Sequence, residues 1–119
     1  MKLFQLVEAL PSLQLLMKLK MPISTGIKVA RAIRMITPEV ATYESMRNEL
    51  LASLGTKVGD TDQFSLQGEN ALSFMTQCNE ATDAEVDITL PTVTLDDLGG
   101  LSIEPQHLLA LDGIFIKEA

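Results

Sequence analysis

Apolar residues recur along residues 23–54 at intervals of three or four positions, the spacing of an amphipathic helix. The mean interval is about 3.4 residues, close to the seam period of packed helices. We name this set the predicted stripe; it comprises Ile23, Ile27, Ala30, Ile33, Ile36, Val40, Tyr43, Met46, Leu50 and Leu54. A stripe of this length in a chain of 119 residues predicts a fold built on helix–helix contact.

Residues 3–20 carry two shorter apolar faces with Pro11 between them, which predicts a kinked helix or two turns meeting at a break. The Met21-Pro22 pair then changes the direction of the chain. We therefore expect residues 1–54 to form a helical hairpin with a purely aliphatic interface. The residues expected to pack on the predicted stripe are Leu6, Leu10, Leu13 and Leu16.

Pro38 interrupts the second helix of this hairpin. Because Thr37 is a suitable N-cap and proline suits a first helical position, a clean break there is one possibility. The apolar spacing continues across Pro38, however, and this favours a continuous but kinked helix.

The remainder of the chain predicts shorter elements. Residues 55–68 are small and polar and predict an exposed loop, and residues 69–80 predict a short helix. Alternation over residues 85–90 predicts a half-buried strand, Leu101 and Ile103 a second short strand, and Pro105 opens another helix. We expect one α+β domain, mainly α: a long kinked hairpin (1–54), a loop (55–68), and a third short helix with a small C-terminal antiparallel β region (69–119).

Charge divides the chain into unlike halves. Residues 1–54 hold seven basic and four acidic side chains, a net charge of +3, whereas residues 55–119 hold two basic and twelve acidic side chains, a net charge of −10. Such a division predicts two surfaces that attract each other, within one molecule or between copies. The residues expected to form interaction surfaces are Lys28, Arg31, Arg34, Glu85, Asp87, Asp96, Asp97 and the apolar end Ile114, Phe115 and Ile116.

No catalytic, metal or cofactor motif accompanies these patterns. His107 is the only histidine and Cys78 the only cysteine, which excludes a zinc site and an internal disulfide. Asp60-Thr61-Asp62 resembles the start of a calcium loop, but Ala71 occupies the position of the bidentate glutamate. Asp96 and Asp97 could converge with Glu85 and Asp87 on Mg²⁺, although an acidic surface is the simpler interpretation. We expect no enzyme activity, cofactor or small-molecule substrate.

Three segments of the chain carry a resemblance to a known family: Lys20-Met21-Pro22-Ile23, Ile27–Ile33 and Tyr43–Leu51. Together they resemble a family of small tailed-phage proteins that has no assigned function. The C-terminal pattern Val86-Asp87-Ile88, Leu95–Leu98, Ile103-Glu104-Pro105 and Leu108–Leu111 is similar too. The resemblance implies a phage origin and a helical fold with a small sheet, and Pro38 departs from the unbroken helix it implies.

These observations favour a virion component, at the capsid or neck, that works as a homo-oligomer or with other phage structural proteins. In such an assembly, basic residues 18–34 would meet acidic residues 80–104 head to tail. The alternative is a small acidic protein that binds and inhibits a host factor, as a nucleic-acid mimic. We expect no membrane span, no export and no direct binding to nucleic acid, so the protein would be found in the virion or the host cytoplasm during infection.

Overall fold

The computed structural model describes residues 1–61 and 63–117, which are mainly helical. Four helices are joined by short irregular segments, and one small sheet lies between the second and third helices. In chain order, the elements are α1 (Leu3–Leu16), α2 (Ile23–Leu54), β1 (Thr56–Lys57), β2 (Phe64–Ser65), α3 (Gly68–Thr82), a 3₁₀ turn (Asp96–Leu98) and α4 (Pro105–Leu111).

Helix α1 is the centre of the core. It packs against α2, α3 and α4, and the side chains of Leu6, Leu13 and Leu16 are fully buried. Pro11 lies inside this helix, where its missing N–H leaves the Val7 carbonyl without its helical donor, yet α1 is continuous. Of the two alternatives for residues 3–20, the single helix is therefore correct.

Helix α2 runs through Pro38 without a break. The hydroxyl of Thr37 donates to the carbonyl of Ile33 at 2.7 Å, and the hydroxyl of Thr42 donates to the carbonyl of Pro38 at 2.9 Å. Both bonds run to carbonyls near the one that proline leaves without its helical donor, that of Arg34. The continuity of the helix, predicted from the apolar spacing, is confirmed, and the kink stays a prediction.

The predicted stripe is wrong for the first turns of α2. The residues of α2 that are buried are Thr25, Val29, Ala32, Ile36 and Val40, whereas Ile23 and Ile27 face solvent. The reason is geometric: each three-residue step falls about 60° short of a full turn at 3.6 residues per turn. The three such steps from Ile27 to Ile36 therefore carry the stripe about half-way round the helix.

The predicted loop 55–68 contains a short antiparallel β-hairpin. Thr56 pairs with Ser65 and Lys57 with Phe64, immediately after α2 ends at Gly55. A Cβ added at Gly55 would lie 2.6 Å from the Leu51 carbonyl oxygen and 2.9 Å from the Cβ of Phe64, so only glycine permits this approach. The β-structure of this protein is thus between α2 and α3, not in the C-terminal region.

The predicted C-terminal antiparallel β region is wrong, because residues 85–90 and 101–103 form no named strand. Residues 85–90 pair only through one bridge, Glu85 with Lys2, while the Val86 amide donates to the Met1 carbonyl at 2.7 Å and the Ile88 amide donates to the Val86 carbonyl at 3.0 Å. The alternation has a different cause: Val86, Ile88 and Leu90 pack against the helical core and the residues between them face solvent. An irregular segment that packs against helices buries one of its sides, as a half-buried strand does. Its sequence can therefore show the same alternation of apolar and polar residues.

Residues 114–116 anchor the C-terminal segment in the core. Ile114, Phe115 and Ile116 are all buried, and Phe115 is the largest fully buried side chain described. The Val93 amide donates to the Phe115 carbonyl and the Lys117 amide to the Val93 carbonyl, both at 2.9 Å. The parallel bridges of Ile116 with Val93 and with Asp112 fix the C-terminal segment without a sheet.

A matched pair of substitutions tests which side of α2 faces the core. Ile36→Asp places an unpaired charge at a fully buried position and should lower the free energy of unfolding by at least about 3 kcal/mol. Ile23→Asp changes a side chain that is 81% exposed and should alter it by less than about 0.5 kcal/mol. Urea unfolding at low protein concentration measures both, and equal losses would contradict the assignment.

Candidate interaction surfaces

The candidate metal ligands of the described residues do not converge. Within residues 1–61 and 63–117, no group of three or more His, Cys, Asp or Glu side chains is placed to hold a metal ion. Two of the four acidic residues considered for Mg²⁺ have other partners: Glu85 binds the N-terminal ammonium group, and Asp97 accepts a hydrogen bond from the Thr94 amide. The calcium-like triplet includes Asp62, which lies outside the described residues.

One polar pair is brought together that the sequence did not reveal. The Ser12 hydroxyl and Nδ1 of His107 are 2.9 Å apart, although 95 positions separate the two residues. Ser12 is only 4% exposed, so a substrate has no access to its hydroxyl. The hydrogen bond between Ser12 and His107 therefore connects α4 to α1. In the sequence, the one feature that indicated it was the presence of a serine on the apolar face of α1.

Part of the charge division is neutralised within one molecule. Nζ of Lys2 lies 2.7 Å from Oδ1 of Asp83, and the N-terminal ammonium lies 2.9 Å from Oε2 of Glu85. The hydrogen bond and charge of Asp83 raise the pKa of Lys2 above its ordinary value. These exposed pairs join the start of α1 to the end of α3, so Glu85 has a partner within the chain.

Asp97 and Lys28, both predicted for an interaction surface, act locally. The Thr94 amide donates to Oδ2 of Asp97 at 2.9 Å, and the Asp97 amide donates to the Thr94 hydroxyl at 3.3 Å. The Thr94 amide lowers the pKa of Asp97, and the Lys28 charge lowers it further. Asp97, which lies within the 3₁₀ turn, therefore caps the Thr94 amide just before it, and Lys28 lies near enough to affect the pKa of Asp97. Of the other predicted residues, Asp87 and Asp96 are exposed, whereas Ile114, Phe115 and Ile116 belong to the core and are at most 8% exposed.

A basic, apolar surface lies where α1 turns into α2. We name it the basic face; it consists of Met17, Lys20, Ile23, Ile27 and Arg31. A groove of about 460 Å³ is lined by the first four of these residues, together with Leu19, Met21, Gly26 and Ala30. Arg31 stands one helical turn beyond Ile27 and Arg34 follows it, both exposed. Arg31 and Arg34, both predicted for an interaction surface, thus lie on the same side of α2 as Ile23 and Ile27. The predicted stripe assigns these two isoleucines to the core.

An acidic, apolar surface lies on α4. We name it the acidic face; it consists of Pro105, Leu108, Leu109, Asp112 and Ile116, which together with Leu95 line a groove of about 390 Å³. Leu109 is 76% exposed. Glu104 precedes α4 and Asp96 follows Leu95, while Lys117 is the nearest basic residue in sequence. Asp112 is the one charged side chain among the residues that line this groove, so the lining carries negative charge.

The far half of α2 is covered mainly by α3, and this cover is thin. No residue of α3 is fully buried, and Leu72 and Met75 face solvent. Arg47 of α2 lies 6.0 Å above the ring of Phe74, and Tyr43 is partly buried beside Cys78. Burial raises the pKa of Tyr43, and Cys78 raises it further. This end of the molecule is held by few contacts.

The molecule is elongated and exposes more surface than its mass requires. It measures 49 × 30 × 22 Å, with a radius of gyration of 17.3 Å, against roughly 13–14 Å for a compact domain of this length. Its accessible surface is 7766 Å², about 1,400 Å² more than the roughly 6,300 Å² expected of a compact monomer of 13.0 kDa. A standard interface takes about 800 Å² from each partner. The excess is therefore the size of one or two interfaces.

Comparison with protein-family models, with curated proteins and with solved structures found no match to this chain. Among the helices in the described part, none is long and apolar enough to cross a membrane.

The cap at Asp97 predicts a pH dependence. Because the pKa of Asp97 in the folded chain is below its ordinary value of 3.8, its ionised form stabilises the fold above that pH. This contribution is lost as the pH falls through the lowered pKa. Urea unfolding of the parent and Asp97→Asn, which caps without titrating, should show a parent advantage at about pH 6 that shrinks towards pH 2. An advantage that is constant with pH would contradict the cap.

Proposed function

We propose that this chain is a non-enzymatic structural or assembly protein of a tailed phage, working as a homo-oligomer or bound to another virion protein at the capsid or neck. The observation that carries the proposal is the elongated shape with its unused apolar surface. A monomer that works alone gains nothing from leaving two apolar grooves and the outer side of α3 in water. Burying apolar surface against a partner yields about 25 cal/mol per Å², less the entropy cost of association.

The resemblance to small tailed-phage proteins supplies the biological setting of the proposal. It rests on the segments of α2 and of the C-terminal region named above. The resemblance implies a small sheet, and the chain has one, the β1–β2 hairpin. That hairpin lies in residues 55–68, however, which the resemblance does not cover, so the two sheets are not equivalent. The charge division adds support, because basic and acidic surfaces of one chain suit contact between copies.

One observation favours the alternative function, a protein that inhibits a host factor. Among the described carboxylates, only Asp83 and Glu85 form ion pairs, so most of the acidic side chains of residues 55–117 are available to mimic a polyanion. Such a mimic would bind a basic site on a host protein. It would not be packaged in the particle.

Quantitative mass spectrometry of purified virions tests the proposal. We expect the protein in the particle at a fixed ratio to the major capsid protein, surviving a high-salt wash that removes adsorbed host proteins. A known non-structural protein of the same phage serves as the negative control. If the chain is absent from washed virions but abundant in infected cells, the structural proposal is wrong and the inhibitor remains.

Light scattering of the purified chain tests self-association separately. We expect the mass to exceed that of a monomer at high micromolar concentration and low salt. If exposed charges contribute, raising the salt to about 0.5 M should weaken the assembly, because the screening length then falls below 5 Å. A mass that does not change with concentration or salt would leave a heterologous virion partner as the remaining form of the proposal.

A further inference from the structure

The basic face and the acidic face are complementary in two independent properties. Each is a shallow groove of similar volume, about 460 and 390 Å³, with a strongly exposed aliphatic side chain at its edge: Ile23 on one and Leu109 on the other. Lys20 and Arg31 lie beside the first, whereas Asp112 lies in the second, with Glu104 and Asp96 near it.

The field at the basic face is reinforced by the helix itself. Helix α2 starts at Ile23 with no side-chain cap and no acidic residue in its first turn. The positive end of its dipole therefore adds to the charges of Lys20 and Arg31. An acidic partner surface is favoured here over a basic or neutral one.

The ion pairs within one chain do not use these residues. Lys2 is paired with Asp83 and the N-terminus with Glu85, and Lys28 lies near Asp97. No ion pair within the described residues involves Lys20, Arg31, Asp96 or Asp112. These four charged side chains are therefore available to pair with another molecule. The exposed apolar side chains beside them, Ile23 and Leu109, are available in the same way.

We propose that the basic face of one copy docks on the acidic face of the next copy. This inference rests on the proposed function and gives its homo-oligomeric form a geometry. The two faces differ, so the contact is heterologous and repeats head to tail, giving a ring if its rotation closes and a filament if it does not. Each copy then buries two patches, about 1,600 Å² at standard interface size, close to the excess surface of the monomer.

The contact of each face with itself is disfavoured by the same charges. Two basic faces would bring Lys20 and Arg31 against their own copies, and two acidic faces would do the same with Asp112. Like charges brought together at an interface select against these pairings. A second copy in the head-to-tail orientation is the arrangement in which both the apolar and the charged parts are matched.

Reversing one charge on each face provides the test. Arg31→Glu reverses a charge on the basic face and leaves the acidic face intact, and Asp112→Arg does the opposite. In analytical ultracentrifugation, each variant alone should therefore associate at least about tenfold more weakly than the parent. Mixing the two variants should restore assembly, because the altered faces match each other and so do the intact ones. The double variant Arg31→Glu/Asp112→Arg should also assemble.

Controls separate the faces from general charge effects. Lys57→Glu and Asp60→Arg make the same changes of charge on exposed positions of the β1–β2 segment and should assemble like the parent. Ile23→Ser and Leu109→Ser remove the apolar part of each face without touching the core and should each weaken assembly about tenfold. Thermal melting of every variant checks that the fold is retained.

The outcomes distinguish this inference from the proposed function. Rescue on mixing, with inert controls, supports the head-to-tail contact. Assembly of the parent that is indifferent to both reversals overturns the two faces while leaving oligomerisation standing. A parent that is strictly monomeric overturns the contact between copies, and the proposed function then depends on the presence of the chain in virions.

Discussion

The fold depends on the burial of α1 from several sides at once. Helix α2 covers one side of α1, α4 covers another, and residues 114–116 complete the core. Leu6, Leu13 and Leu16 lose all contact with water, and Ser12 is satisfied by His107 of α4. Because α1 is only 14 residues long, it would be marginal in isolation and owes its stability to this packing.

The geometry of α1 also explains the surfaces that remain open. Helix α2 has 32 residues and is more than twice the length of α1, so its far half extends beyond the core. There α3 is the main cover, and none of its side chains is fully buried. At the other end, Ile23 and Ile27 point away from α1. The length difference between the two helices thus produces the elongated shape on which the proposed function rests.

The helices could be predicted from the sequence because their apolar spacing and their proline and glycine residues act locally. Pro105 opens α4 as expected. The side of α2 that faces the core could not be obtained by joining apolar positions, since Ile23 and Ile27 are apolar but lie outside the core. The alternating segment 85–90 and the Ser12–His107 pair depend on contacts between residues far apart in sequence, which periodicity does not report. Arg31, Arg34, Asp87 and Asp96, predicted for interaction surfaces, are exposed, whereas the ion pairs of Lys2 with Asp83 and of the N-terminus with Glu85 depend on the folded structure.

Cross-linking between copies tests most directly the central claim that two unlike faces meet. With Cys78→Ala removing the native thiol, one preparation carries Ile23→Cys and the other carries Leu109→Cys. Under mild oxidation, the mixture should give a disulfide heterodimer far faster than either preparation alone gives a homodimer. As a control, a Lys57→Cys preparation replaces the Ile23→Cys preparation in the mixture. The account would be contradicted if homodimers and heterodimers formed at equal rates, or if the Ile23→Cys heterodimer formed no faster than the Lys57→Cys heterodimer.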